Sequence, residues 1–347
     1  MELLYSLHER ALTVVFSDVA NAARTLDKTF IGTPGSVIQR SNKTETQFYV
    51  HQFYDGERKQ RERYLAGPVG SPDAEAAAEA LRVRIAEAND LVPSLRMLGR
   101  EGYNLANPLT FATVATLFNH DVFHAGGVLI GSHAYGMLLN QLGARAASYQ
   151  TEDDDSARHQ RLAFAEPPGV DFLELIRESG IDFVAVPAFK RGQPSSSFKK
   201  KGKARFQVEL LVPSAGEDCA TVPVPELGAH ATALPYLGYL LRQTQWAPML
   251  SRVGCCLVRV PLPEHFATHK LIVSQLRTNR AKAPKDLHRA CVLGAYLADE
   301  HPGALSDAVA EVPVSARKHL RRGLDAARQT LEASAPAAWV EWSDSVS

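Results

Sequence analysis

The sequence lacks an excess of charge of either sign. Its 38 Lys and Arg residues balance its 38 Asp and Glu residues, so the formal net charge at pH 7 is +0. This balance excludes a chain that coats nucleic acid through its overall charge. Any contact with a nucleotide or a nucleic acid must therefore come from a local patch.

The sequence also has few cysteines and no long apolar run. Its four cysteines, Cys219, Cys255, Cys256 and Cys291, form no CxxC pair and no zinc-finger spacing. Cys255 and Cys256 lie in an apolar run and are expected to be buried free thiols. No signal peptide is recognisable, and no stretch approaches the roughly 18 apolar residues of a membrane span. We therefore expect a reducing, cytoplasmic location and no membrane partner.

Length and pattern together predict an α/β (α+β) protein. At about 100–200 residues per domain, 347 residues suggest two or three domains, and 45% hydrophobic residues can supply real cores. Residues 1–110 are expected to form an accessory domain of helices and a β-hairpin. Residues 111–230 are expected to form an α/β core with a small mixed sheet, and residues 231–347 a helical domain.

Apolar periodicity and turn residues predict the main elements. The turn Asp55-Gly56 follows a strand-like stretch at 46–54 and predicts a hairpin that returns to Leu65. Helices are expected at 7–26, 73–89, 133–142, 170–179, 264–276, 284–298 and 314–331. Strands are expected at 124–130, 144–150, 182–186, 204–212 and 256–260, the last being the single strand expected in the C-terminal region.

One ordered combination of residues could carry chemistry. Glycine at the strand-to-helix turn Gly131-Ser132 would let the backbone approach a phosphate, and the helix N-terminus and the Ser132 hydroxyl would supply hydrogen-bond donors. Carboxylates two apart on an extended strand point the same way, so Asp153 and Asp155 could hold divalent cations together. Glu209, on a later strand, could complete a two-metal site.

Each of these parts also has a plainer interpretation. A Gly-Ser pair before a helix is common, and an acidic run such as 152–155 is typical of a solvated loop. Glu209 could be an outward residue on an amphipathic strand. The order of the parts is what favours a site, and Asp154 remains a possible ligand because the register of the acidic run is open.

Several stretches resemble a known group of proteins. The segment 126–134, followed by Thr151-x-Asp153-x-Asp155, resembles the nucleotidyltransferase-fold (polymerase-β-like) superfamily. The hairpin ending at 63–68, and the block 263–274 with 285–287, are similar more narrowly to bacterial GSU2403-type nucleotidyltransferase-fold proteins and, distantly, to AbiEii-type toxins. The likeness covers about residues 40–300. Two positions depart from the family pattern. Asp154 stands between the paired acids, where the pattern usually has an apolar residue, and Glu209 stands where the third acid is more often Asp.

The resemblance assigns roles to individual residues. It implies that Gly131 and Ser132 bind the triphosphate and that Lys270 contacts a phosphate, with Lys285 a further candidate for nucleotide binding. The metal ligands and catalytic acids that it implies are Asp153, Asp155 and Glu209.

The resemblance also implies an activity and partners. The expected reaction is metal-dependent transfer of a nucleoside monophosphate from an NTP, such as ATP, to an acceptor hydroxyl, with Mg²⁺ or Mn²⁺. The implied acceptor is RNA, such as tRNA, or a protein. The implied setting is a toxin–antitoxin or phage-defence system, with an antitoxin as possible partner. The alternative is a catalytically inactive nucleotide- or RNA-binding module on the same fold.

Two further features could contribute to binding. The basic loop 199–203 could steer a nucleic-acid acceptor, or it could be a solvated hairpin tip. His133 and Tyr135 follow the serine, so one of them could contact the nucleotide, although Tyr135 could equally pack inside the protein.

Overall fold

The computed structural model describes residues 3–146, 161–165, 171–187, 194–203, 206–214, 219–277 and 280–346. Eleven α-helices and fourteen strands lie in these ranges, and this mixture confirms the α+β class. The acidic run with Asp153, Asp154 and Asp155 lies outside the described residues. Among the residues that are described, no helix has the length and apolar character needed to cross a membrane.

The helices occupy most of the predicted positions. In chain order they are α1 Arg10–Arg24, α2 Pro72–Arg100, α3 Pro108–Asn119, α4 Ser132–Gln141, α5 Phe172–Arg177, α6 Leu237–Leu240, α7 Pro263–Ser274, α8 Ala283–Glu300, α9 Ala304–Ala310, α10 Val314–Ser334 and α11 Pro336–Val346.

The strands include several that the pattern did not predict. They are β1 Tyr5–Leu7, β2 Ser36–Ser41, β3 Gln47–Tyr54, β4 Gln60–Ala66, β5 Val128–Ile130, β6 Ala144–Ala146, β7 Arg161–Ala165, β8 Phe183–Ala185, β9 Ser197–Lys200, β10 Gln207–Pro213, β11 Ala220–Val224, β12 Ala229–Leu234, β13 Thr244–Leu250 and β14 Cys255–Pro261.

The predicted N-terminal hairpin is confirmed as β3 and β4, and β2 adds a third antiparallel strand. Asp55 fixes the turn, because its Oδ1 accepts hydrogen bonds from the backbone N–H groups of Glu57 and Lys59. The sheet packs on α2, where Tyr49 is buried with Ala74 and Ala78. This region therefore has its own small apolar cluster.

The central sheet has seven strands in mixed orientation, with the order β11-β12-β10-β7-β5, while β9 pairs with β10 and β8 with β9. Strand β7 runs parallel to β10 and antiparallel to β5. The registers place Ile130 beside Ala163 and Ala163 beside Glu209. The end of β5 therefore lies at the sheet edge where β7 and β10 begin.

The extended stretch expected at 144–150 begins as a strand, and its residues 147–150 lie outside the described residues. Residues Ala144–Ala146 form β6, which pairs with β1 in a separate two-stranded sheet. The neighbour of β5 in the central sheet is β7, which pairs with β10 along its other side.

The expectation of a single strand in the C-terminal region is wrong. Strand β13 pairs with β14 along its whole length, from Thr244 beside Pro261 to Leu250 beside Cys255. Pro248 argues against a central strand because it cannot donate a ladder hydrogen bond, but a two-stranded sheet tolerates it. The predicted burial of Cys255 and Cys256 as free thiols is confirmed, and burial raises the pKa of Cys255 to about 12.

A continuous apolar core joins the central sheet to the C-terminal helices. It runs from Phe111 to Val346 and so includes residues on both sides of position 230. Trp342 of α11 is fully buried in it, and its Nε1 donates a hydrogen bond to Thr268 Oγ1 at 3.3 Å. The domain boundaries expected from the sequence remain predictions.

We predict that Gly323→Ala destabilises the protein, because a Cβ on α10 at this position would overlap the backbone carbonyl of Leu271 on α7. Helix propensity alone would make alanine about 1 kcal/mol more stable than glycine. Overpacking should instead cost about 1–3 kcal/mol in the free energy of unfolding, measured with chemical denaturant.

The matched control for this change is Gly99→Ala in α2, where the new Cβ would meet only the flexible side chain of Leu105. This control should cost less, because the leucine can turn away. A gain in stability for Gly323→Ala would contradict the close crossing of α7 and α10.

Candidate functional site

The turn at Gly131 is built for a glycine. Its φ is 83° and its ψ is −148°, a region that other residues hardly enter. A Cβ here would meet nothing within 4 Å, so backbone conformation demands the glycine and the space before the turn is open. The first hydrogen bond of α4 runs from Tyr135 N to Gly131 O, so the amides of Ser132, His133 and Ala134 precede the helical ladder. The predicted strand–turn–helix is confirmed.

A pair of asparagines fixes the orientation of α4. The backbone N–H of Asn104 donates to Asn140 Oδ1 at 2.8 Å, and Asn140 Nδ2 donates to the carbonyl of Asn104 at 2.9 Å. Asn104 Nδ2 also donates to the carbonyl of Gly136 at 3.2 Å. Asn140 is fully buried, so leaving these groups unpaired would be costly. The segment after α2 therefore holds the helix that begins at Ser132.

A cleft of about 340 Å³ opens beside the start of α4. Ser132 and His133 line it, together with Met249 and Leu250 from β13. Arg100 at the end of α2 and Arg145 on β6 bring two positive charges to its wall. Neither arginine is predicted from the sequence. Only the closeness of Arg145 to the end of α4 could have indicated it.

His133 brings a neutral ring to this cleft. Its Nε2 is buried and has no hydrogen-bond partner among the described residues. Burial, together with a smaller contribution from the positive charge of Arg289, lowers the pKa of His133 to about 4. Tyr135, by contrast, is buried and stacks on Phe266, with 6.1 Å between ring centroids. Of the two candidates, His133 is therefore the one that faces the cleft.

Glu209 lies on β10, two strands from the end of β5. One strand spacing separates Ile130 from Ala163 and another separates Ala163 from Glu209, about 10 Å in all. Glu209 is half-buried, and its Oε1 accepts a hydrogen bond from Gln207 Nε2 at 3.3 Å. The neighbouring Val208 is fully buried, so the two side chains point to opposite faces of the sheet.

The structure thus brings Gly131, Ser132 and Glu209 to one edge of the sheet. Asp153 and Asp155 precede Arg161, the first residue of β7, and lie outside the described residues. Among the described residues, no group of three His, Cys, Asp or Glu side chains could hold a metal ion. The metal set of Asp153, Asp155 and Glu209 therefore remains a prediction.

Lys270 takes part in a buried ionic cluster between α7 and α8. Its Nζ donates to Asp286 Oδ1 at 2.8 Å, while Arg277 Nε donates to Oδ2 at 2.7 Å. Burial alone would raise the pKa of Asp286, but the charges of Lys270 and Arg277 outweigh it and hold that pKa at about 2. Burial lowers the pKa of Lys270 in spite of its partner.

This ionic cluster concerns the nucleotide contacts predicted for Lys270 and Lys285. Lys270 is 6% exposed and already engaged with Asp286, whereas Lys285 lies on the exposed side of α8. The carboxylate of Asp286, next to Lys285 in the sequence, is thus bound to Lys270 of α7. Phosphate contacts by Lys270 and Lys285 remain predictions.

The basic loop at 199–203 is partly neutralised. Lys200 Nζ and Lys59 Nζ each lie 2.6 Å from a carboxylate oxygen of Glu57, and Lys201 pairs with Asp182 at 3.6 Å. The Lys200–Glu57 pair attaches the loop to the N-terminal hairpin. The loop therefore carries less unpaired positive charge than the sequence suggests. Its ability to steer a nucleic acid remains a prediction.

A family model described as Nucleotidyltransferase matches residues 109–314, which is more than half of the chain. The chain belongs to this nucleotidyltransferase family. The match contains all seven predicted site residues, and membership indicates transferase activity and an NTP as substrate. Searches of the curated proteins and of the solved structures each found no match.

We predict that Lys270→Met in this nucleotidyltransferase lowers the free energy of unfolding by about 3 kcal/mol. Removing one partner of a buried pair leaves a poorly compensated charge, and Arg277 retains only part of the compensation. Denaturant unfolding measures the change. The exposed Lys285→Met is the control and should change stability by less than about 0.5 kcal/mol. Equal stabilities of the two variants would show that the Lys270–Asp286 pair is not structural.

Proposed function

We propose that this protein transfers a nucleoside monophosphate from an NTP to an acceptor hydroxyl and releases pyrophosphate, a reaction of the EC 2.7.7 type. The observation that carries the proposal is the Gly131-Ser132 turn at the sheet edge where β7 and β10 begin. Family membership gives this turn its chemical meaning.

The triphosphate would lie at the start of α4. The amides of Ser132 and His133, the Ser132 hydroxyl and the dipole of the ten-residue helix all favour an anion there. Arg100 and Arg145 line the same cleft and would offset the negative charge of the β- and γ-phosphates. His133 is neutral at pH 7, so its free ring nitrogen could donate or accept one further hydrogen bond.

The acidic residues would act at the same edge. The chain passes through Asp153 and Asp155 before it enters β7, and β7 begins beside β10 and the end of β5. Asp153, Asp155 and Glu209 would hold Mg²⁺ or Mn²⁺, whose charge would neutralise the triphosphate and activate the hydroxyl. The acceptor oxygen then bonds to the α-phosphorus, the bond to the bridging oxygen breaks, and pyrophosphate leaves. Glu209 would accept the hydroxyl proton.

The acceptor and the biological setting belong to the same proposal. RNA, such as tRNA, or a protein hydroxyl would receive the nucleotide, by likeness to the GSU2403-type and AbiEii-type proteins. A toxin–antitoxin or phage-defence role in a bacterial cytoplasm would follow from the same likeness. The free thiols of Cys219, Cys255, Cys256 and Cys291 suit a reducing compartment.

We predict that the wild type, supplied with each α-³²P-labelled NTP, Mg²⁺ or Mn²⁺, total RNA and lysate, transfers label to RNA or to protein. Asp153→Asn combined with Asp155→Asn should abolish the transfer, because this double change removes the carboxylates that would bind the metal. Glu209→Gln should slow it by about 10²–10⁴-fold, the contribution of a general base.

The matched control for the acid series is Asp154→Asn, which removes the same charge from the same run and should retain activity. Loss of activity with this variant instead of the pair would assign the metal to Asp154. Tight NTP binding without any transfer, by a folded wild type, would reject the enzyme and support the inactive binding module.

A further inference from the structure

A second cleft, of about 520 Å³, lies between the N-terminal sheet, helix α2 and the segment 28–33. It shares no lining residue with the cleft beside Ser132. The register of β3 and β4 places His51 beside Arg63 and Phe53 beside Arg61, so these four side chains share the sheet face that lines the cleft. The nucleotide site does not account for this second space.

Aromatic rings form one part of the cleft wall. His51 and Phe53 are stacked with 4.8 Å between ring centroids, and Phe30 lies 5.7 Å from His51. His51 Nε2 lies 2.7 Å from the carbonyl of Pro34, which holds the ring in place. Burial lowers the pKa of His51, and the charges of Arg63 and Arg84 contribute to the lowering. Three fixed, uncharged rings therefore line the space at neutral pH.

Positive side chains form the rim. Lys28, Arg63 and Arg84 are exposed, and none of them forms an ion pair with a described carboxylate. Arg84 lies over the Phe30 ring, with 5.3 Å from its guanidinium carbon to the centroid. Of the three carboxylates in the lining, Asp55 pairs with Arg61 and Glu62 with Arg40, while Glu178 Oε2 lies 2.8 Å from His120 Nε2. Four Lys and Arg side chains against three carboxylates give the lining a formal charge of +1 in a chain of zero net charge.

Rings beside unpaired cations suit one class of ligand. Unpaired bases stack on aromatic faces and their phosphates bind Arg and Lys, whereas the bases of a duplex are already stacked on one another. We propose that this aromatic–cationic cleft binds single-stranded nucleic acid, with bases against Phe30, His51 and Phe53 and phosphates at Lys28, Arg63 and Arg84. The inference deepens and rests on the proposed function, because the bound strand would be the RNA acceptor.

The test measures the affinity of the full chain for a fluorescein-labelled single-stranded RNA by anisotropy across a salt series. Arg63→Ala combined with Arg84→Ala should reduce the slope of log K against log salt by about 1.4, or about 0.7 for each phosphate that the variant no longer neutralises. Affinity at low salt should fall at least about tenfold. The matched control, Arg317→Ala with Arg322→Ala on exposed positions of α10, removes the same charge and should change neither quantity.

A second variant tests stacking separately from charge. Phe53→Leu should weaken RNA binding by about fivefold, the lower end of the range for base–aromatic stacking, with an unchanged salt slope. Thermal unfolding of each variant confirms that it is folded. Equal effects of the two arginine pairs, or equal binding of duplex and single-stranded RNA, would overturn the proposal. Binding of free nucleotides at this cleft without binding of the oligonucleotide would overturn it as well.

The same measurements separate this inference from the proposed reaction. The Asp153→Asn and Asp155→Asn double variant should bind RNA like the wild type, because it changes none of the residues proposed to hold the strand. RNA binding that depends on Arg63 and Arg84 supports the cleft even when no nucleotide is transferred. Label transfer by a protein with no affinity for single-stranded RNA rejects the cleft and leaves the reaction standing.

Discussion

The pairing of β5 with β7, and of β7 with β10, is the constraint on which the proposed site depends. Because β5 runs opposite to the other two strands, its end at Gly131 meets the beginnings of both. Burial of Val208 and Leu210 on one face of β10 enforces the register that leaves Glu209 on the other. A slip by one residue would bury the carboxylate and expose apolar side chains, at a high cost in free energy.

Polar groups inside the protein support this sheet edge from two directions. The Asn104–Asn140 hydrogen bonds hold α4 from the side of α2. On the other side, Lys270, Arg277 and Asp286 join α7 to α8, and Arg289 of α8 lies over the Tyr135 ring at 5.4 Å. Arg289 also helps keep His133 neutral. The helix that would receive the triphosphate is thus fixed by packed, hydrogen-bonded neighbours rather than by its own short length.

Local signals in the sequence were sufficient to predict the positions of the turns and of most helices. Asp55-Gly56 and Gly131-Ser132 are short patterns with a backbone requirement, and both turns are where they were predicted. The partners of each strand in a sheet were harder to predict. Strands β6 and β7 are both short, and only long-range pairing decides that β7 adjoins β5. Arg100 reaches the cleft beside Ser132 from a distant segment, which no sequence spacing reveals. Lys270 was predicted by resemblance, and only the structure shows its buried bond to Asp286.

The most direct test of the account compares Gly131→Ala with Gly303→Ala in a titration with Mg²⁺ and NTP. Each glycine directly precedes a helix and has a positive φ, 83° at Gly131 and 98° at Gly303. A Cβ added at either position would meet nothing within 4 Å. Both variants should lose about 1–3 kcal/mol of stability through backbone strain. If the triphosphate binds at the Gly131-Ser132 turn, Gly131→Ala alone should bind NTP at least about tenfold more weakly, because this substitution disturbs the amides that would hold phosphate. Equal NTP affinity of the two folded variants would contradict a triphosphate site at the Gly131-Ser132 turn.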